Sequence, residues 1–374
     1  MVAELSELSE LSVVVVGTQL SAPVPGGTGR YTSELLRTLA ATQPSHARFK
    51  VFPVASSRLP YRLLARLWDR GLPPRAPDAE VIHAPTLLFP PVRRESALVV
   101  TIHDVVPWTH PETLTPRGVA FHRRMAQRAA RRADLVLTPT EAVAEQVRRL
   151  VSPTAPVRTV PPPVWPLDVP ADAAAYRLAV GVAEPYLLFV GTAEPRKGLD
   201  VLVAALREAG PRVPDLVVVG PRGWGDIRVD DLAARAGVAS RVRVLGRVDE
   251  ATLAALYAAA AAVAVPSLAE GFGLPVLEAM TLGVPVVTSD DPALLEVGAG
   301  VPLVAPVGDV HTLAEQLAEA VAPGRREALA AAGRRRAQDF SAARTGELLW
   351  ETYAHVAGDR RPRGSRGGTQ STGR

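Results

Sequence analysis

Short β-branched runs alternate with amphipathic helical stretches along nearly the whole chain, and that alternation is the signature of parallel sheets wound with helices. In the first half the runs are Ser12 to Gly17, Phe49 to Val54, Val81 to His83, Leu98 to His103 and Leu135 to Pro139. Helical stretches lie between them, notably Gly29 to Ala41 and Pro116 to Ala133. The segment VRTVPPPVWPLDV, residues 157–169, breaks the pattern, since so many prolines exclude a central strand or a helix interior. The pattern restarts with Tyr186 to Gly191, Asp215 to Gly220, Arg241 to Leu245, Ala262 to Pro266, Pro285 to Ser289 and Val301 to Val304. The fold class is therefore α/β, with two Rossmann-like doubly wound domains, 1–165 and 166–340. A last helical stretch, 341–357, is free to cross back to the first domain, and 358–374 form a tail.

Composition agrees with this and removes several alternatives. A chain of 374 residues suits two domains of roughly 150 each. Its apolar content is mostly Ala, Val and Leu, as buried parallel strands require. With no cysteine, disulfides, thiol nucleophiles and thiolate metal sites are excluded. The N-terminal MVAELSELSE is acidic where an export signal needs basic and then apolar residues, so a cytoplasmic location is expected. The uncharged stretch Ala251 to Ala269 reads as a short helix, Thr252 to Ala260, followed by a buried strand, because it is Ala-rich and contains Pro266. The tail carries five Arg and one Asp, which equals the +4 of the whole chain. The folded body is thus near neutral, and nucleic acid is not an expected partner.

Four stretches carry candidate chemistry. EGFGLPVLE, residues 270–278, follows a run read as a strand and opens a helix. Its glycines permit close backbone approach, Pro275 suits a first helical turn, and the amides from Gly273 onward form an anion site. Glu270 in the loop and Glu278 in the helix can accept hydrogen bonds from sugar hydroxyls on either side of a diphosphate, or they are a cap and a solvated face. In GTAEPRKGLDVL, residues 191–202, Arg196 and Lys197 precede a glycine and a helical run. Only Lys50 and Lys197 are lysine among 42 basic residues, which suggests a need for a compact ammonium at 197. In PVPGGTGRYTSELL, residues 23–36, Gly26, Gly27 and Gly29 let the backbone approach an anion at the carboxyl end of the first sheet. His83 and His103 close two runs of that sheet, with Asp104 placed to orient either; each is a substrate contact or a structural histidine.

Taken together, these stretches resemble glycosyltransferase family 4, the retaining GT-B group, up to about residue 357. EGFGLPVLEAMTLGVPVVTS matches that family's Glu-to-Glu motif, and GTAEPRKGLDVL, GGTGRY and HDVVPWTHPE resemble its bacterial mannosyltransferase branch. The resemblance implies an acceptor-side first domain and a second domain that binds a nucleotide-sugar across a cleft. It implies that Glu278 holds the ribose hydroxyls, and that Glu270 with Gly271, Phe272, Gly273 and Leu274 holds the donor sugar. Lys197 and Arg196, beside Gly191, would hold the diphosphate, Gly26 and Gly27 would close over it, and His103 would sit near the acceptor. Thr192 stands where many relatives carry Arg, and VPPPV departs from the usual Asn-Gly pattern.

The activity so implied is hexosyl transfer without metal or other cofactor, from GDP-mannose first and UDP-glucose or a related UDP-hexose second. The acceptor is a sugar, polysaccharide or lipid-linked hydroxyl. Rivals on the same fold are a nucleotide-sugar epimerase and a non-catalytic nucleotide-sugar-binding protein. The helix with Arg117, Arg123, Arg124, Arg128, Arg131 and Arg132 faces solvent or a membrane surface carrying the acceptor.

Overall fold

The computed structural model describes residues 10–22, 26–52, 61–223, 225 and 227–360, so residues 1–9, 23–25, 53–60, 224, 226 and 361–374 lie outside it. It contains two parallel six-stranded sheets. The first comprises β1 (Leu11–Val16), β2 (Ala47–Phe52), β3 (Val81–Ala84), β4 (Ala97–Thr101), β5 (Leu135–Thr138) and β6 (Val157–Thr159), in the order β2-β1-β3-β4-β5-β6. The second comprises β7 (Tyr186–Val190), β8 (Asp215–Val219), β9 (Val242–Gly246), β10 (Ala262–Val265), β11 (Val286–Ser289) and β12 (Leu303–Ala305), in the order β12-β11-β10-β7-β8-β9.

The sequence dictates which strands are central. β1, β3, β4 and β10 are almost wholly Val, Ile, Leu and Ala and are buried on both faces, as strands covered by helices on each side must be. β2 and β9 carry Arg48, Lys50 and Arg243 and are partly exposed, and charged side chains there protect a sheet edge from further pairing. β6 is an edge strand inside the proline-rich segment that the sequence reading left without one. Its three residues pair in parallel with Val136 to Thr138, and the prolines begin only at Pro161.

Strand order locates the ligand crevice. In each sheet the winding reverses beside its first strand, between β1 and β3 and between β7 and β10, and ligands in open α/β sheets bind outside the carboxyl ends of the strands at such a point. The segments after β7 and β10 are GTAEPRKG and PSLAEGFG, so two of the candidate stretches meet there by topology alone.

The last helix, Ala342–Arg360, returns to the first sheet. Leu349, Trp350, Tyr353 and Val356 are buried with Val13, Val15, Leu35 and Val99. Gly346 permits this approach, since a Cβ there would lie 2.2 Å from Thr42 Oγ1. This helix also decides between the two readings of His83. The imidazole is fully buried beneath it, with Nδ1 2.7 Å from the Tyr353 hydroxyl and Nε2 2.9 Å from Thr101 Oγ1. It is a structural histidine of the first core, and Asp104 caps its own loop by accepting from the Val106 amide.

Burial, with His103 adding a smaller repulsion, lowers the His83 pKa to about 3. An unfolded histidine titrates near 6.5, so the unfolded chain binds more protons between these values, and stability is lost as pH falls from about 6.5 toward 3. Urea unfolding at pH 7 and pH 5 should show a decline of up to about 1.4 kcal/mol per pH unit from this group. Tyr353→Phe leaves a buried ring nitrogen unpaired and should cost about 1–3 kcal/mol at pH 7 in the same assay.

Candidate active site at the interdomain cleft

Two left-handed glycines and one short turn assemble the cationic part of the site. Gly198 has φ +65°, and a Cβ there would stand 2.1 Å from the Pro266 carbonyl, so the turn Pro195–Lys197 lies directly on the segment that follows β10. The Leu268 amide donates to the Arg196 carbonyl at 2.8 Å and fixes the contact. Gly220 has φ +142° and packs its α-carbon against the Gly191 carbonyl, while Gly191 backs the Lys197 side chain.

These contacts bring Arg196, Lys197 and Glu270 together. Lys197 Nζ lies 2.6 Å from Glu270 Oε1, Arg196 Nη1 lies 3.0 Å from Glu270 Oε2, and Ser267 Oγ donates to Oε1 at 2.7 Å. Arg196 also holds Glu194 at 2.7 Å and donates to the Ala269 carbonyl at 2.8 Å. Burial opposes ionisation of Glu270, but Lys197 and Arg196 outweigh it and hold the carboxyl at about 2. The same carboxylates, Glu270 ahead of Glu194, outweigh burial at Arg196 and raise its pKa. The cluster is a near-neutral ion network of two cations and two carboxylates.

Glu278 sits in the helix Leu274–Leu282, which opens at Gly273 with φ +90° and no side-chain cap. It is 3% exposed. Its two oxygens are held by different domains: Tyr257 donates to Oε2 at 2.6 Å, and Arg30 Nη1 lies 2.6 Å from Oε1. Arg30 also reaches Glu34 at 3.2 Å, and these carboxylates overcome the burial that would otherwise lower the guanidinium pKa. The sequence reading missed Arg30 and Tyr257. Arg30 follows the singled-out glycines directly, but no local pattern says that it reaches across to the other domain.

Further contacts join the domains at the carboxyl ends of their sheets. Glu296 accepts from the Glu141 and Ala142 amides at 2.8 Å each, at the start of the helix Glu141–Leu150, where a carboxylate complements the exposed amides. Thr140 donates to the Gly271 carbonyl at 3.1 Å, and a Cβ on Gly271 would fall 1.9 Å from the His103 carbonyl. Gly271 therefore packs directly against the backbone of the first domain, where no side chain would fit. His103 itself is half-buried, edge-on to Tyr31, and its Nε2–H donates to the Pro85 carbonyl at 2.7 Å, so Nδ1 is left as an acceptor. Burial, only partly offset by Pro85 and Asp104, lowers its pKa.

Other expected residues are placed differently. Gly26 and Gly27 are not loop residues but the first turn of the helix Gly26–Ala41, with open space around each, while Gly29 is buried. The Phe272 ring packs edge-on against Phe340 at 5.6 Å within the second core, leaving only its backbone for a ligand. The arginine helix is not a free basic stripe. Arg123 donates to the Pro107 carbonyl at 2.6 and 2.9 Å, Arg124 pairs with Asp69, and Arg128 stacks on Phe89; Arg117, Arg131 and Arg132 stay exposed. No group of His, Cys, Asp and Glu among the described residues is arranged to hold a metal, and no described helix is long and apolar enough to cross a membrane.

Two parallel-sheet domains whose carboxyl ends face each other across a charged cleft are the GT-B architecture. Residues 184–322 match the family described as "Glycosyl transferases group 1" and residues 3–163 match "Glycosyl transferase 4-like domain". The chain is 32% identical to the O-antigen chain mannosyltransferase B of Escherichia coli, over 70% of each chain. It is 39% identical to the D-inositol 3-phosphate glycosyltransferase of Actinosynnema mirum, over 60% of this chain and 58% of that one. The sucrose-phosphate synthase of Thermosynechococcus elongatus shares the fold, with TM-score 0.73 and 22% identity over 93% of this chain and all of that chain. The protein belongs to the family 4-type glycosyltransferases and is a hexosyltransferase that uses a nucleotide-sugar donor.

The Arg30–Glu278 pair yields a stability prediction. Arg30→Gln leaves the buried Glu278 Oε1 without its charged partner and should lower the unfolding free energy by about 1–3 kcal/mol, measured by urea titration without nucleotide.

Proposed function

We propose that the protein moves a mannosyl group from GDP-mannose to an acceptor hydroxyl in the synthesis of a glycan, glycolipid or polysaccharide, with retention of the anomeric configuration and without a metal. The observation that carries this reading is the convergence of Lys197, Arg196 and Glu270 on one carboxylate-centred cluster at the switch point of the second sheet, with Glu278 one helical stretch away. The similarity to an O-antigen mannosyltransferase favours mannose over a UDP-linked hexose.

In this reading the donor sugar's hydroxyls take over Glu270, the amides of Gly271, Phe272 and Gly273 hold the same sugar, and the two cations turn to the diphosphate. The helix start at Gly273 adds about 0.3–1 kcal/mol of dipole stabilisation for the same charge. Glu278 exchanges Arg30 for the ribose hydroxyls and keeps Tyr257. The acceptor oxygen bonds to the anomeric carbon on the face from which the diphosphate leaves. The bond from that carbon to the phosphate oxygen breaks, and the acceptor's proton passes to the departing phosphate. Lys197 and Arg196 stabilise the charge that develops there, the electrostatic contribution that commonly dominates such reactions.

Lys197→Ala should reduce kcat by about 10²-fold or more, on the scale of losing one transition-state donor. Glu278→Ala should mainly raise KM for donor, by the equivalent of about 1–3 kcal/mol. Product NMR should show the donor's anomeric configuration; an inverted anomer, or full activity in either variant, contradicts the proposal.

A further inference from the structure

Between the domains, on the first-domain side of Glu270, lies a cavity of about 230 Å³. Its first-domain wall is the segment Asp104 to His110 together with Gln146, and its second-domain wall is Leu268 to Glu270, Asp290 to Pro292 and Val307. Val105, Val106, Leu268 and Pro292 make part of this lining apolar, and Thr109, His110 and Gln146 add neutral or weakly basic polar groups. Of the donor-site residues only Glu270 borders it, so the cavity begins where the transferred sugar ends.

The charge of this lining is one-sided. Asp104, Glu270, Asp290 and Asp291 contribute four carboxylates, and no Lys or Arg lines it. Lys197 and Arg196 pair with Glu270 and Glu194, so the charge of Glu270 is balanced and the negative excess of the lining comes from Asp104, Asp290 and Asp291. Asp291 uses both oxygens on backbone amides: Oδ1 accepts from Ala293 and Leu294, and Oδ2 from Glu270. Asp104 and Asp290 each accept with one oxygen, from the Val106 and Val307 amides. A lining with this excess of carboxylates accepts hydrogen bonds from hydroxyls and repels phosphate and carboxylate, because like charge set against a ligand acts as an exclusion device.

We propose that this cavity is the acceptor site and that it takes an uncharged, hydroxyl-rich sugar residue, with Asp104 and Asp290 reading its hydroxyls and the carboxylate wall excluding acceptors phosphorylated on the same ring. The proposal rests on the transferase reading given above and adds the class of the second substrate. It separates this chain from an enzyme built for a sugar-phosphate or polyol-phosphate acceptor, which needs cations where this lining has carboxylates.

Ligand-observed saturation-transfer NMR on the full chain, with methyl α-mannoside and myo-inositol against mannose 6-phosphate and myo-inositol 1-phosphate, tests it without requiring turnover. The neutral ligands should bind at least ten-fold more tightly than their phosphorylated counterparts. Asp104→Asn, which preserves the loop geometry, and the exposed Asp290→Lys should each narrow that gap, and Asp290→Lys should bring in measurable binding of the phosphorylated ligands. Tighter binding of the phosphorylated ligands, no binding of any of the four, or a gap unchanged in both variants overturns the proposal. GDP and UDP titrated in parallel report the donor site separately, so nucleotide binding with a failed acceptor panel refutes the acceptor assignment alone, whereas loss of both refutes the transferase reading.

Discussion

Glu270 is buried and nevertheless ionised, and the cleft is organised around that fact. A carboxylate taken out of water is costly unless it is paired and hydrogen-bonded. Here Lys197, Arg196 and Ser267 supply the compensation, and each comes from a segment that follows a strand at the sheet's switch point. The backbone bends to allow it, at Gly198 against Pro266 and at Gly220 against Gly191. The result is a network in which two cations and two carboxylates balance.

The second carboxylate works on the same principle across a domain boundary. Glu278 is satisfied on one side by Tyr257 from its own domain and on the other by Arg30 from the opposite one. The cleft is thus held together by contacts at its functional points. Gly271 beneath His103, and Glu296 on the amides of the facing helix, extend the same interface.

Much of this was legible in the sequence, for physical reasons. Val-rich runs such as LSVVVV and AVAV can only be strands buried on both faces, so the two sheets and their interruption near the prolines follow from pattern. The EGFGLPVLE and EPRKG segments were legible because glycine, proline and paired charges sit at positions where a strand ends and a helix begins. What escaped depends on distant partners. His83 and His103 both read as closing neighbouring strands, but His83 lies inside β3 opposite Val99, where the returning helix covers it with Tyr353, while His103 lies two residues beyond β4 at the cleft. The arginine helix looks like a uniform basic face until Asp69, Pro107 and Phe89 are seen to occupy half of it. β6 was hidden because its three residues precede the prolines that dominate the segment, and Arg30 because its partner is 248 positions away in sequence.

The central claim is that the Lys197–Arg196–Glu270 cluster and Glu278 form a single nucleotide-diphosphate site that needs no metal. Calorimetric titration of the purified chain with GDP and with UDP, in EDTA, tests it most directly, with Lys197→Ala as the control. The account predicts saturable binding of one nucleotide in preference to the other, retained in EDTA and weakened in the variant. Binding that disappears with EDTA, that is unchanged in Lys197→Ala, or that is absent for both nucleotides would contradict it.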